Sequence, residues 1–344
     1  MKPCDPGHDF DDFFSLYKSC CLCPRACQVD RTDTSLDARL GFCRQAAIPV
    51  IASVCPHFGE EPPFSGTYGS GTVFFSGCTL RCSFCQNYQI SHRCMGKESD
   101  TEAILKKLTD MIQTYHVHNI NFVTPDHFFP HVFHITGLLR NLGYKLPVIY
   151  NLSGYQAVNM LKLAEPYVDI YLPDFKFSDP DLAKNLAGRK DYPKMAIDAI
   201  SEMVKQKGFL DSFSSGKKIA SKGVLVRHLI LPGYTDNSID ALSTLFIEFG
   251  PDIPVSIMSQ YYPVRESRYK SLNRMVSRKE FDKVYSHAID LGFEHLFVQY
   301  PEDMSASSSP FLPDFTQARP FGKSMPCKQP LRLQYCKQKP RQEL

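Results

Sequence analysis

No run of apolar residues in this chain reaches the length needed to cross a bilayer. The first residues, with Pro3, Cys4, Asp5 and His8 behind Met1, contain no basic n-region followed by an apolar h-region. A membrane partner and an export route are therefore not expected, and the chain is read as cytoplasmic. Excess charge is also lacking. The formal net charge is +3 over 344 residues, which gives no argument for nucleic acid or an anionic surface as partner. A fixed-period internal repeat is missing as well.

What the chain has in quantity is cysteine, 13 residues in all. Without an export signal, thiolate ligands in a reducing compartment explain them better than a disulfide framework. The apolar content of 43% is enough for one substantial core, or one core with a small appended module.

Composition divides the chain into three regions. Residues 1–65 hold seven of the cysteines, several prolines and little periodicity, which suits a loop-rich extension held by ligands rather than by a core of its own. Across 66–302 short apolar runs alternate with amphipathic segments. Val73 to Phe75, Ile120 to Val123, Val148 to Tyr150, Val168 to Leu172, Val224 to Leu231, Val255 to Met258 and His295 to Val298 read as buried strands. Between them run helical stripes: Ile104, Leu105, Leu108, Met111, Ile112 and Tyr115 behind a cap at Ser99, Asp100 or Thr101; Leu242, Leu245, Phe246 and Phe249; and Phe281, Val284, Tyr285, Ala288 and Leu291. Strand then helix, repeated about six times, predicts an α/β fold with a parallel sheet, best met by a partial (β/α)6 TIM-like barrel. Residues 303–344 form a tail. Ser305 to Ser309 make a small-residue linker in it, and the basic, proline-dotted stretch from Lys323 to Leu344 is expected to be poorly ordered.

Directly after the first of these strands stands Gly77-Cys78-Thr79-Leu80-Arg81-Cys82-Ser83-Phe84-Cys85. Three thiolates in one short loop suit one face of a [4Fe–4S] cubane. A closed zinc or electron-transfer centre wants four protein ligands, whereas three leave one iron open to a cofactor or substrate. The rival readings are a zinc site completed by Cys94 or His92, and three buried structural cysteines. The position at the carboxyl end of a strand, where βα barrels carry their active sites, favours the open cluster.

On these residues the sequence resembles the radical S-adenosylmethionine superfamily, and within it the activating enzymes of glycyl radical enzymes such as pyruvate formate-lyase. The similarity is greatest to a little-characterised branch of activating-enzyme-like proteins. It extends over nearly the whole chain, through Cys20 to Cys27 with Gly41 to Cys43, Gly69 to Asn87, Asn119 to His127, Tyr150 to Tyr155, Asp169 to Lys176, Arg227 to Gly233 and Ser256 to Pro263. It continues to Pro313-Asp314-Phe315 and Pro320-Phe321 and fades beyond them. The resemblance implies S-adenosylmethionine as cofactor, chelated at the open iron and cleaved to a 5′-deoxyadenosyl radical that abstracts a hydrogen atom.

The same resemblance implies further site residues. Phe84, before the third cysteine, would pack by the adenine. Where the activating enzymes carry a Gly-Gly-Glu run, this chain has Thr124, Pro125, Asp126 and His127, so Thr124, Asp126 and His127 are the acceptors on offer for the methionine amino group. Asn151 and Ser153 fall where the family places ribose or cation contacts, although with Gly154 they also suit a turn. Asp174-Phe175-Lys176 matches the family's Asp-Leu-Lys run, in which the lysine meets the cofactor carboxylate. Arg227 aligns with a family arginine, and a charge inside an apolar strand demands a ligand or an acid as partner. Gln260 and Gln299, at later strand ends, are candidates for the adenosine.

Cys20, Cys23, Cys27 and Cys43 supply four more thiolates at short spacings, with Cys21 and Cys55 in reserve. Structural zinc and an auxiliary iron–sulfur cluster remain open for them. The leading functional expectation is an activase that takes a hydrogen atom from a partner protein's glycine, reduced by a flavodoxin or ferredoxin. Radical modification of another peptide, an RNA or a small molecule is the second, and a non-enzymatic zinc-binding interaction module the third.

Overall fold

The computed structural model describes residues 13–214, 218–301, 312–317 and 319–321. Ten strands are present among them: Val50–His57 (β1), Ser70–Phe75 (β2), Lys97–Glu98 (β3), Ile120–Val123 (β4), Val148–Leu152 (β5), Ile170–Pro173 (β6), Gly223–Val224 (β7), Val226–Leu229 (β8), Val255–Met258 (β9) and Leu296–Val298 (β10). β2 and β4 are buried at every residue. Strands covered on both faces are the setting in which continuous apolar runs pair in parallel.

The strands pair in the order β3-β1-β2-β4-β5-β6-β7 and, separately, β10-β9-β8. The two sheets are continuous in space. Leu225, between β7 and β8, donates its N–H to the Tyr171 carbonyl at 3.1 Å, and Phe175 donates to Arg227 at 2.8 Å. From β2 to β10 the array is therefore one parallel, barrel-like series, with the seven expected strands all in place. Among the described residues β10 pairs only with β9, so the series is not closed onto β2.

Helices occupy the crossovers. Thr101–Tyr115 starts where Asp100 accepts a hydrogen bond from the Ala103 N–H at 2.7 Å, and it buries Ile104, Leu108 and Met111. Arg278–Leu291 opens with a reciprocal Ser277–Glu280 cap and buries Phe281, Val284 and Ala288. These are the stripes expected from spacing, because core packing and capping act on the same residues. No helix among the described residues is long and apolar enough to cross a membrane.

The strand β1 is a departure. Residues 50–57, read from sequence within the loop-rich extension, pair antiparallel with β2. A register shift between Ile51 and Ser53 breaks the alternation that would have announced the strand. The rest of the extension docks on the helix Phe129–Asn141. Tyr17 shares a 2.7 Å hydrogen bond with His131, and Phe13 meets Phe133 edge-on at 5.2 Å. At the other end of the chain Phe315 and Phe321 pack on Phe74 of β2. The linker expected at Ser305 to Ser309 and the irregular end from Lys323 onward lie outside the described residues.

His228 on β8 is fully buried, and its Nδ1–H donates to the Phe175 carbonyl at 2.7 Å. Burial pushes it down to about 4. With the folded value below the unfolded one, about 6.5, stability is complete above that unfolded value and is lost as pH falls through the interval. Denaturant unfolding is expected to show that, between pH 7 and pH 4.5, the wild type loses about 2 kcal/mol more stability than His228→Gln does. Equal losses in the two proteins would remove His228 as the cause.

Candidate active site

The carboxyl ends of the parallel strands converge on a cavity of about 240 Å³. Cys78, Cys82 and Cys85 reach its wall from the loop after β2, Thr124 from the end of β4, and Asn151 and Ser153 from β5 and its end. Asp174 and Lys176 reach it after β6, Arg227 from β8, Gln260 after β9 and Gln299 after β10. Residues distant in sequence share this wall because parallel pairing aligns all the carboxyl ends on one side.

The cysteine loop is held from several directions. Gly77, with φ at +85°, turns the chain where a Cβ would come within 2.7 Å of the Cys43 carbonyl. Arg25 donates to the Thr79 carbonyl, Ser83 donates its N–H to Leu186 at 2.7 Å, and Gln86 donates to the Gln260 carbonyl at 2.6 Å. Two backbone N–H groups, of Leu80 and Arg81, point at the Cys78 sulfur, each at 3.4 Å, and Ser91 donates to the Cys85 sulfur at 3.3 Å. Burial pushes the Cys78 thiol up to about 12 and raises Cys82 as well. Sulfurs with donors already aimed at them, yet too desolvated to ionise alone, suit thiolates neutralised by a metal.

Lys176 forms an ion pair with Asp174 on the cavity wall. Burial works to lower the lysine, but Asp174, Cys82 and Cys85 outweigh it and hold the ammonium charged. Phe84 meets Phe177 edge-on at 6.0 Å and lines the cavity. Thr124 has φ at +54°, an uncommon conformation for a β-branched residue, at the point where the wall begins. The Gln299 amide lies 3.5 Å from the Gln260 side-chain oxygen.

Asp126 and His127 are elsewhere. Both are buried behind the cysteine loop, where Asp126 accepts from the Thr79 hydroxyl at 2.8 Å and the His127 Nε2 lies 2.7 Å from the Ser76 carbonyl. Neither lines the cavity. Cys94 and His92 do not line it either, and the His92 ring engages Ser91 and Arg265. Cys55 stands on β1 in an apolar group with Phe74, Ile90, Val123 and Phe315.

Several residues at the site had no announcing motif. Glu60 and Glu61, in the loop after β1, both bind Arg227, and its Nε donates to Glu61 at 2.9 Å. Burial works to raise Glu60, yet Arg227 and His57 outweigh it and hold it below its usual range. The lone strand arginine was the available signal, since it demanded an acid and Gly59-Glu60-Glu61-Pro62 is a rare acidic pair in that half of the chain. Tyr192 was also missed. Its hydroxyl lies 3.0 Å from the carbonyls of Ser153 and Asp174 and accepts from the Lys176 N–H, tying the ends of β5 and β6 together.

The sequence matches the Radical SAM superfamily over residues 72–246, from β2 through the helix Thr235–Phe249, more than half of the chain. The chain belongs to the radical SAM superfamily. Membership makes it a radical SAM enzyme and implies a [4Fe–4S] cluster and S-adenosylmethionine as its cofactors. The chain is 27% identical over 275 residues to the uncharacterized protein MJ0674 of Methanocaldococcus jannaschii, covering 78% of this chain and 74% of that one. It is 26% identical over 212 residues to the pyruvate formate-lyase-activating enzyme of Clostridium pasteurianum, covering 58% and 79% respectively. Among solved structures it resembles methylornithine synthase (PylB), with a TM-score of 0.39 at 14% identity over 66% of this chain and 70% of that one. It also resembles HydG, a maturase of the [FeFe]-hydrogenase, with a TM-score of 0.47 at 15% identity over 68% and 50%.

The buried triad of Arg227, Glu60 and Glu61 predicts a stability pattern specific to charge. Arg227→Ala leaves two desolvated carboxylates unpaired and is expected to cost about 3–5 kcal/mol in urea unfolding. Combining Arg227→Met with Glu60→Gln and Glu61→Gln is expected to recover most of that loss. A triple variant as unstable as the single one would mean that shape, not charge, is what the trio supplies.

Proposed function

We propose that this radical SAM enzyme is an activase-like hydrogen abstractor, acting on the glycine Cα–H of a partner protein to leave a glycyl radical. The observation that carries the catalytic part is the trio of Cys78, Cys82 and Cys85 on the wall of one cavity beside the Lys176–Asp174 pair. The glycine part is supported by the similarity to the Clostridium pasteurianum activating enzyme.

In this reading the thiolates of Cys78, Cys82 and Cys85 would hold a [4Fe–4S] cluster with one iron left for S-adenosylmethionine. Bound there, the two would supply reductive cleavage of the cofactor and, from it, the capacity to abstract a hydrogen atom. Lys176 neutralises the cofactor carboxylate, and Asp174 keeps the ammonium on the cavity wall. Thr124 offers its hydroxyl and carbonyl to the amino group in place of the Gly-Gly-Glu run. Asn151 and Ser153 serve the ribose, and Phe84, Gln260 and Gln299 the adenine side. Arg227, already held by two acids, forms the wall with them. Asp126 and His127 act as positioning residues, fixing the cysteine loop through Thr79 and Ser76. Phe74, Leu80 and Phe321 on the same wall keep water from the radical. A flavodoxin- or ferredoxin-type donor in the cytoplasm completes the scheme.

Anaerobic reconstitution with iron, sulfide and dithionite is expected to yield 5′-deoxyadenosine, with production abolished by Cys78→Ala, Cys82→Ala or Cys85→Ala. Undiminished cleavage in those variants would end the assignment. Lys176→Ala is expected to raise the apparent KM for S-adenosylmethionine roughly tenfold to a hundredfold, the range for a charged hydrogen bond. For the substrate, cell protein labelled with glycine deuterated at Cα should transfer deuterium into 5′-deoxyadenosine. Cofactor turnover without deuterium transfer would point instead to another peptide, an RNA or a small molecule.

A further inference from the structure

Lysine is an awkward side chain with which to fix a cofactor group, because its charge sits at the end of a flexible four-carbon stem. On a loop after a strand the backbone beneath it is ordinarily mobile as well. Here that backbone is held. Each of the six peptide groups of Asp174-Phe175-Lys176 has a partner in another element. The Asp174 N–H donates to the Leu152 carbonyl at 2.9 Å, and the Phe175 N–H to the Arg227 carbonyl at 2.8 Å. The other four meet side chains. The Asp174 carbonyl lies 3.0 Å from the Tyr192 hydroxyl, which also accepts from the Lys176 N–H at 3.0 Å. The Phe175 carbonyl accepts from His228 at 2.7 Å, and the Lys176 carbonyl from the Asn237 amide at 3.0 Å.

Tyr192 and Asn237 come from the helices Tyr192–Lys207 and Thr235–Phe249, outside the strands that carry the cavity. Both are buried, so water does not compete for their bonds. Asn237 is fully engaged, since its Oδ1 accepts from the N–H groups of Ser178 at 3.0 Å and Asp179 at 3.3 Å. The Tyr192 ring is set by Phe177, edge-on at 5.3 Å. Gly154, with φ at +82°, shows how closely the end of β5 approaches this loop. A Cβ there would collide with the Asp174 carbonyl oxygen and come within 2.6 Å of the Tyr192 hydroxyl.

The ion pair of Lys176 with Asp174 spans this one tripeptide, so the torsions of the tripeptide set where the ammonium stands on the cavity wall. We infer that Tyr192 and Asn237, which hold the two peptide groups of Lys176 itself, are positioning residues for the cofactor. They fix the ammonium before the carboxylate of S-adenosylmethionine arrives, and binding then has no loop to order. Neither residue lines the cavity, so both act through the lysine. The inference rests on Lys176 as the partner of the cofactor carboxylate and does not depend on the activase reading.

Equilibrium dialysis of S-adenosylmethionine against the full-length reconstituted protein, without reductant, reads this apart from turnover. Tyr192→Phe keeps the ring and removes only the hydroxyl. It is expected to weaken binding roughly fivefold, as the loss of one neutral hydrogen bond implies, and Asn237→Ser by a similar factor. Made on top of Lys176→Ala, Tyr192→Phe is expected to have no further effect, because no ammonium is left to place. 5′-Methylthioadenosine, which carries no carboxylate, should bind the wild type and both variants alike. Equal weakening by Tyr192→Phe with and without Lys176 would make the hydroxyl a general support of the fold and overturn the inference. Wild-type affinity in Tyr192→Phe, with Lys176→Ala impaired, would overturn it too. Lys176→Ala binding as tightly as the wild type would instead remove the role of the lysine, and the inference with it. Should Asn237→Ser fail to fold, Tyr192→Phe and its pairing with Lys176→Ala still decide the matter.

Discussion

Desolvated charge is the constraint around which this structure is arranged. Cys78 and Cys82 in the cysteine loop are so buried that their thiols resist ionisation without a metal to accept the charge. Lys176 stays charged in the same wall because the Asp174 carboxylate stands against its burial. Arg227 is tolerable inside a strand because two glutamates close on it. Each of these groups would be expensive alone, and each stands where its neighbour makes it affordable in free energy.

The barrel makes those meetings possible. Parallel pairing from β2 to β10 delivers every loop after a strand to one side, so a cysteine loop, a lysine, an asparagine and two glutamines from separate stretches face one cavity. The extension then packs on the helix after β4, and the tail packs on β2, where Phe321 joins Phe74 on the cavity wall. Phe74 receives Phe315 and Phe321, and Tyr17 and Phe13 reach the helix Phe129–Asn141. The catalytic loop is thus held between the barrel and the four-cysteine segment rather than left on an exposed tip.

Much of the barrel was legible in advance. Its strands are short apolar runs buried on both faces, and its helices carry apolar stripes with caps, so one set of residues sets periodicity and burial together. The cavity residues were legible for a different reason. Cys78, Cys82, Cys85 and Lys176 carry chemistry in their types and spacing, and they follow strands. β1 escaped because its register shift hides the alternation. Asp126 and His127 pointed to the cavity by sequence position alone, while a short helical turn carries them behind the loop instead. Glu60 and Glu61 belong to a loop with no motif, and only their meeting with Arg227 gives them a role.

By itself the sequence determined the parallel α/β plan and the presence of a three-thiolate loop at a strand end, because local periodicity, turn chemistry and ligand spacing are properties of neighbouring residues. Tertiary structure alone decided which acid answers Arg227, which side of the loop Asp126 and His127 occupy, and that the buried Arg31 guanidinium donates to the His127 carbonyl. Those are pairings across 166, 47 and 96 residues of chain, read as Arg227–Glu61, Asp126–Thr79 and Arg31–His127. No spacing rule reaches so far; only the folded geometry brings such groups together.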